Sequence, residues 1–307
     1  MRTLAAVQQK TLKSPIHCTG VGLHTGVKAA LTLRPAPADT GILFRRIDIE
    51  GRSIEIPAHW SNAVESPLCT MLTDGEGTTI LTIEHLMSAL AGCGIDNCVI
   101  ELDGPEVPVM DGSAAPFVFL IECAGIVQQS GTRHVMKVLK EVRVVEGAAS
   151  AELLPDDHFS IGFEIDFASK AIAHQSVSVA LDPVAFKRDI SRARTFGFLH
   201  EVDQLRAAGR GLGGSLENVV VVDGDTVLNA GGLRYADEFV RHKALDAIGD
   251  LYLAGAPLLA RFNGTRSSHA LTRRLLATLF ADESSWCWTE LAETDAAWIE
   301  PAHALSA

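Results

Sequence analysis

No two cysteines in this chain have the C-x-x-C spacing. The six lie at positions 18, 69, 93, 98, 123 and 287, mostly in apolar stretches where a thiol packs as a small hydrophobe. Cys93 and Cys98 lack the second pair that a cysteine metal site requires, so all six read as free thiols of a reducing, cytoplasmic compartment. Positive charge is also scarce. Lys and Arg number 26 against 38 Asp and Glu, a formal net charge of −12, which argues against a nucleic-acid partner but leaves room for a small anionic ligand at a local site. No apolar run reaches the roughly 18 residues that would suggest a membrane-spanning helix. The first ten residues are too polar and too short for a signal peptide. There is no G-x-S-x-G elbow, no G-x-x-x-x-G-K-[ST] loop and no H-E-x-x-H helix. The usual serine-hydrolase, phosphate-loop and zinc-protease signatures are therefore missing.

What is present is an ordinary globular composition over 307 residues, 47% hydrophobic and 21% charged, long enough for two domains. Residues 15–33 read as a hairpin around a glycine-rich turn, and 41–49 and 97–102 as strands. Residues 83–91 carry the spacing of an amphipathic helix, with Ile83, Leu86, Met87 and Leu90 on one face and Thr82 as its expected N-cap. A second helix is expected over 115–124. Gln128-Gln129-Ser130-Gly131 is the best linker, dividing the chain into units 1–130 and 131–307. Strands are expected over 136–145, 150–154, 159–166, 175–180 and 219–222. Helices are expected over 184–190 and 201–208, around His242, and after Ser268. Strands and helices come in blocks rather than in strict alternation, so the fold class is α+β.

The chemistry concentrates on one helix. His242, Asp246 and Asp250 are four residues apart and share a face, and Lys243 borders it. Imidazole and carboxylate both ligate Zn²⁺, so His242 and Asp246 are two candidate ligands. The same pattern also suits a solvated charged face. A hydrolytic zinc site needs a third ligand and an open position. His85 is attractive because its neighbour Glu84 is placed to act as a base. Equally, Glu84 suits the helix dipole as a first-turn acid. His269 begins a helix and could protonate a leaving amine if a carboxylate such as Asp250 kept it charged. Otherwise it is an exposed helix-start histidine.

Several long motifs occur in a telling order. They are Gly20-Val21-Gly22-Leu23-His24-Thr25-Gly26, Thr82-Ile83-Glu84-His85-Leu86, Gly94-Ile95-Asp96-Asn97 and Pro108-Val109-Met110-Asp111-Gly112-Ser113-Ala114. Then follow Ser191-Arg192-Ala193-Arg194-Thr195-Phe196-Gly197-Phe198, Gly213-Gly214-Ser215, the run from Arg241 to Asp250, and Ser268-His269-Ala270-Leu271. Together they resemble the UDP-3-O-acyl-N-acetylglucosamine deacetylases, zinc amidases of lipid A biosynthesis in Gram-negative bacteria, over nearly the whole chain. The resemblance implies that His85, His242 and Asp246 hold Zn²⁺, that Glu84 is the general base, and that His269, oriented and charged by Asp250, is the acid. It implies Thr195 over the substrate carbonyl and Lys243 near the substrate's polar groups. It also implies two similar α/β units packed as a two-layer sandwich, each with an insert. The second insert, near 197–225, would line a passage for the fatty acyl chain with Phe196, Phe198, Gly214 and Leu216; Leu23 would join them in binding substrate, and Cys69 would lie near the site mouth. A monomer acting on a UDP-linked, 3-O-acylated N-acetylglucosamine is expected. The alternative is a non-catalytic zinc-containing sugar-nucleotide or lipid-binding module, whose metal would be closed by a fourth protein ligand. This chain departs from the family pattern at Ser268, where glycine is expected, at Leu216, where phenylalanine is expected, and in the turn at 146–149, which lacks a lysine.

Overall fold

The computed structural model describes residues 7–66 and 68–291. The fold is α+β. One five-stranded sheet is built entirely from the first half of the chain, in the spatial order Ile16–Val21, Lys28–Pro35, Cys98–Leu102, Ile42–Arg46 and Ile54–Pro57. Lys28–Pro35 alternates, turning Ala29, Leu31 and Leu33 inward. Cys98–Leu102, the central strand, is apolar at four of its five positions and buried at those same four, as a strand covered on both faces must be. Helices α1 (Glu84–Gly92) and α2 (Ala115–Ala124) pack with each other, and α2 lies against Ile16–Val21.

The second half builds a seven-stranded sheet around Leu258–Thr265. That strand pairs antiparallel with Ala149–Pro155 and parallel with both His134–Val138 and Ser160–Asp166. A short α3 (Pro183–Ala185) runs into a π-helical turn, Phe186–Ile190. Then come α4 (Leu199–Ala207), the long α5 (Glu238–Leu251) and α6 (His269–Phe280). Asp182 caps α3 and Ser268 caps α6, each accepting a backbone N–H of its first turn. Helix α5 touches α1, α6 and two strands of the second sheet, so all its residues except Arg241 and Lys243 are buried. A face that carries His242, Asp246 and Asp250 is thus inside the protein, which removes the reading of a solvated charged stripe.

Three expectations change. The stretch read as a linker belongs to strand Ile126–Thr132, which pairs antiparallel with Gln8–Leu12; Gln129 is drawn into the core network by accepting from Asn97 and donating to the Ala36 carbonyl. Residues 136–145 form two strands, His134–Val138 and Val142–Glu146, because the chain leaves the sheet at Leu139. Thr82 does not cap α1. Its φ is +58° and its hydroxyl donates to buried Glu106 at 2.6 Å. The strands Gln8–Leu12, Leu258–Thr265 and Trp286–Glu290 carried too little alternation to be read from sequence.

Helices α1 and α5 cross at Gly249. A Cβ there would lie 2.0 Å from the Glu84 carbonyl oxygen and 3.0 Å from the Ser88 nitrogen. Only glycine permits so close an approach of the two backbones, and this crossing sets Glu84 and His85 against Asp246 and Asp250.

Candidate active site

Helix α1 begins with Glu84 and His85, so both side chains leave its first turn toward α5. The His85 and His242 rings meet edge to face, centroids 5.0 Å apart. Asp246 Oδ1 lies 3.3 Å from His242 Nε2 and 3.6 Å from His85 Nε2. One donor atom from each of the three residues falls within 4.8 Å of the other two, and all three residues are buried. Tetrahedral ligands of an ion at about 2.0–2.1 Å are separated by roughly 3.3–3.4 Å. Asp246 Oδ1 and His85 Nδ1 have no hydrogen-bond partner among the described residues although both are shut away from solvent. A buried, unpaired carboxylate oxygen facing two imidazole nitrogens at these separations is costly unless a cation sits among them. The donor set therefore fits a divalent metal.

The surrounding contacts prepare these groups to ligate. His242 Nδ1 donates to the Ala193 carbonyl at 3.0 Å, which leaves Nε2 with a free lone pair. Burial pushes the His242 pKa down to about 4, so the ring is neutral at physiological pH. Burial alone would raise Asp246, but the facing His242 ring and the Lys243 ammonium outweigh it and hold the carboxyl well below the usual range. Lys243 Nζ is 2.7 Å from Asp246 Oδ2. Burial would lower that ammonium, and Asp246 more than compensates, so it stays charged.

Two further titratable groups face the cluster with their affinities for protons pulled apart. Glu84 accepts the Thr70 backbone N–H on Oε2 at 3.0 Å, and burial raises its pKa to about 6. His269 directs Nδ1 at Asp250 Oδ2 across 2.8 Å, while its Nε2 lies 3.8 Å from Asp246 Oδ2. Burial opposes the imidazolium, yet the Asp250 carboxylate raises its pKa to about 9. A carboxylate poised near neutrality and an imidazole held protonated form an acid–base pair.

The remaining residues singled out in the sequence lie around this centre. The backbone of Thr195 is fixed on both sides: its N–H donates to Gly112, and its carbonyl accepts from Val220. Phe196 stacks edge-on against Phe239 and lies 6.3 Å from the His242 ring; Phe198 packs on Phe167. Strand Phe196–Phe198 runs parallel to Val220–Asp223. The glycine-rich loop of the first half is zipped to the insert: Leu212 and Gly213 donate to the carbonyls of His24 and Leu23, and Leu23 comes against Gly214. Leu216 is half exposed. Cys69 is buried beside Glu84, and burial pushes its thiol up to about 11.

Sequence reasoning missed three groups. His24 is buried, and neither ring nitrogen has a hydrogen-bond partner among the described residues; it lies close enough to His85 and His269 to feel their charges. Its position inside a glycine-rich loop was the available signal. Glu106 is buried and accepts from His24 N, Thr25 N, Thr25 Oγ1 and Thr82 Oγ1, pinning that loop to the entry of α1. Thr70 gave no signal in the sequence.

Comparison with known proteins agrees with this geometry. Residues 9–281 match the model of the UDP-3-O-acyl N-acetylglycosamine deacetylase family. The chain belongs to that family. It is 50% identical over 284 residues to the UDP-3-O-acyl-N-acetylglucosamine deacetylase of Stenotrophomonas maltophilia strain R551-3, covering 92% of this chain and 93% of the relative. Identity is 49% over 282 residues to the protein of the same name from Idiomarina loihiensis, covering 91% and 92%. It is 49% over 288 residues to that of Xanthomonas campestris pv. campestris, covering 93% and 94%. The metal-ligand cluster and the acid–base pair all lie inside the stretch matched to the family.

Proposed function

We propose that this chain is a Zn²⁺-dependent deacetylase that removes acetate from the 2-N-acetyl group of UDP-3-O-acyl-N-acetylglucosamine, a step of lipid A biosynthesis. The observation that carries this reading is the buried, unpaired Asp246 oxygen facing His85 and His242, with Glu84 and His269 on its rim. His85, His242 and Asp246 hold the ion, which when bound supplies Lewis acidity to water and to an amide carbonyl.

The chain's own residues do the proton work. Glu84 Oε2 is anchored by Thr70, so Oε1 is free to take the proton of the attacking water. The Thr195 hydroxyl donates to the oxygen that gains charge on the substrate carbonyl, an interaction worth roughly 3–4 kcal/mol per donor in such sites. His269, its Nδ1–H held by Asp250, gives the Nε2 proton to the departing nitrogen, so acetate and a free amine result. Lys243 keeps Asp246 ionised and contacts polar groups of the substrate. Phe196, Phe198, Gly214, Leu216 and Leu23 border the fatty acyl chain, and Cys69 lines the wall behind Glu84.

The enzyme acts as a cytoplasmic monomer. Among the described residues no helix is long and apolar enough to cross a membrane. Its two units, 1–130 and 131–307 with their border inside strand Ile126–Thr132 rather than in a linker, each contribute one large sheet, and the proposed metal ligands come from both. The deciding experiment measures acetate release from UDP-3-O-acyl-N-acetylglucosamine before and after chelation. Activity that disappears with chelator and returns with about one Zn²⁺ per chain, the stoichiometry of a single three-ligand site, is expected. Stoichiometric zinc binding without turnover would replace this reading with a silent sugar-nucleotide or lipid-binding module.

A further inference from the structure

The acid and the base of the site are held by one residue that neither ligates nor titrates. Thr70 is buried in the segment just before strand Met71–Thr73. Its backbone N–H donates to Glu84 Oε2 at 3.0 Å. Its hydroxyl donates to Asp250 Oδ1 and lies 3.2 Å from His269 Nδ1. His269 Nδ1 occupies the other oxygen of the same carboxylate. Both oxygens of Asp250 are thereby engaged, Oδ1 by the threonine and Oδ2 by the imidazole. A carboxylate with only the imidazole as partner could rotate about its terminal torsion, which is broad for Asp, and swing the ring with it. The Thr70 carbonyl also accepts from Ile83, just ahead of Glu84, so the threonine backbone is tied to the entry of α1 as well.

We propose that Thr70 is a positioning residue that sets the distance and orientation of His269 relative to Glu84, acting through Asp250 with its hydroxyl and through Glu84 with its backbone. This inference rests on the acid and base roles assigned above. The hydroxyl is the separable half. Thr70→Val keeps the shape and the N–H to Glu84 but deletes the donor to Asp250, whereas Thr70→Ser restores the donor. Valine is close to threonine in shape, and the cost of leaving Asp250 Oδ1 without its donor, about 1–3 kcal/mol, is within what a folded chain of this size withstands.

The test compares wild type, Thr70→Val, Thr70→Ser, Asp250→Asn and the Thr70→Val/Asp250→Asn double variant, all loaded with zinc. Misplacing an acid group by about 1 Å costs up to about 100-fold, so Thr70→Val should lower kcat about 10- to 100-fold with KM within about 2-fold, and Thr70→Ser should recover to within about 3-fold of wild type. In the Asp250→Asn background, Thr70→Val should add less than about 2-fold, since the two act as one unit. Zinc stoichiometry should match wild type in Thr70→Val, while Tm falls by the few degrees that one unpaired buried carboxylate oxygen costs and returns in Thr70→Ser. A second readout needs no substrate: the His269 Nδ1–H resonance of ¹⁵N-labelled protein should shift or broaden in Thr70→Val and return in Thr70→Ser. Wild-type kcat in Thr70→Val, a serine variant as impaired as the valine, full additivity with Asp250→Asn, or an unmoved imidazole resonance would each overturn the proposal. If wild type itself failed to deacetylate, the functional reading would fall, while the resonance would still decide whether Thr70 fixes His269.

Discussion

Glu84 and His269 stand on the rim of the same ligand cluster with opposite proton affinities, near 6 and near 9. The difference comes from their surroundings. Burial raises Glu84, and His269 has a carboxylate on its Nδ1. Glu84→Gln keeps an acceptor for the Thr70 N–H but cannot take a proton. Its kcat should fall by about 10²- to 10⁴-fold, and His269→Ala should do the same, with zinc content unchanged in both. Wild-type turnover in either variant, measured alongside metal analysis, would remove the assigned role. A second residue-scale prediction concerns Glu238, which is fully buried and bonds the Arg194 guanidinium and the backbone N–H groups of Arg194 and Arg234. Burial would raise its pKa, but those donors outweigh burial and lower it below the ordinary 4.5. Its stabilising contribution is therefore complete above the unfolded value and is lost as pH falls through the lower folded value. Glu238→Gln should cost about 3–5 kcal/mol at neutral pH by stranding Arg194. It should also flatten the loss of stability below pH about 4.5, as read by urea unfolding across pH. At this scale the sequence was informative where chemistry is distinctive. His242, Asp246 and Asp250 announced themselves by spacing. Thr70, His24 and Glu106 did not, because a threonine, a loop histidine and a carboxylate between prolines are each common without function.

Helices α1 and α5 carry the three proposed ligands and the proposed base, and their separation is fixed at Gly249, where a Cβ would lie 2.0 Å from the Glu84 carbonyl. Gly249→Ala must push the helices apart. Overpacking of this kind costs about 1–3 kcal/mol, and the same displacement carries His85 away from Asp246. The variant should show a lowered Tm together with weakened zinc retention on dialysis. Gly231, exposed and with nothing near its missing Cβ, is the control: Gly231→Ala should stay within about 0.5 kcal/mol of wild type and keep its zinc. A Gly249→Ala protein with full zinc occupancy and unchanged Tm would contradict the role of the crossing. All six helices were legible in outline, α1 by the helical spacing of its apolar residues, although residues 186–190 are π-helical and α4 begins at Leu199. The start of α1 was misjudged because Thr82 reads as a cap by residue type. Glu106, distant in sequence, claims its hydroxyl and holds it at positive φ.

Across the whole molecule, the proposed metal site would also act as a fastener. His85 comes from the half that builds the five-stranded sheet, and His242 and Asp246 from the half that builds the seven-stranded one. An ion that binds only when these meet stabilises the folded chain by mass action, about 2.7 kcal/mol at a hundredfold excess over Kd. Chelation should therefore lower Tm by several degrees and zinc should restore it, whereas a His85→Ala variant should melt at the same temperature with and without chelator. The acidic balance, the absence of long apolar runs and paired cysteines, the helix-face spacing of His242, Asp246 and Asp250, and the family motifs were all fixed by the one-dimensional chain, because each depends on residue type and local period alone. The burial of that face, the unpaired oxygen of Asp246, the pairing of Gln8–Leu12 with Ile126–Thr132 across more than a hundred residues, and the joining of Glu84 to Asp250 through Thr70 were decided only by tertiary structure. Those features depend on which distant surfaces exclude water together, and no local pattern encodes that.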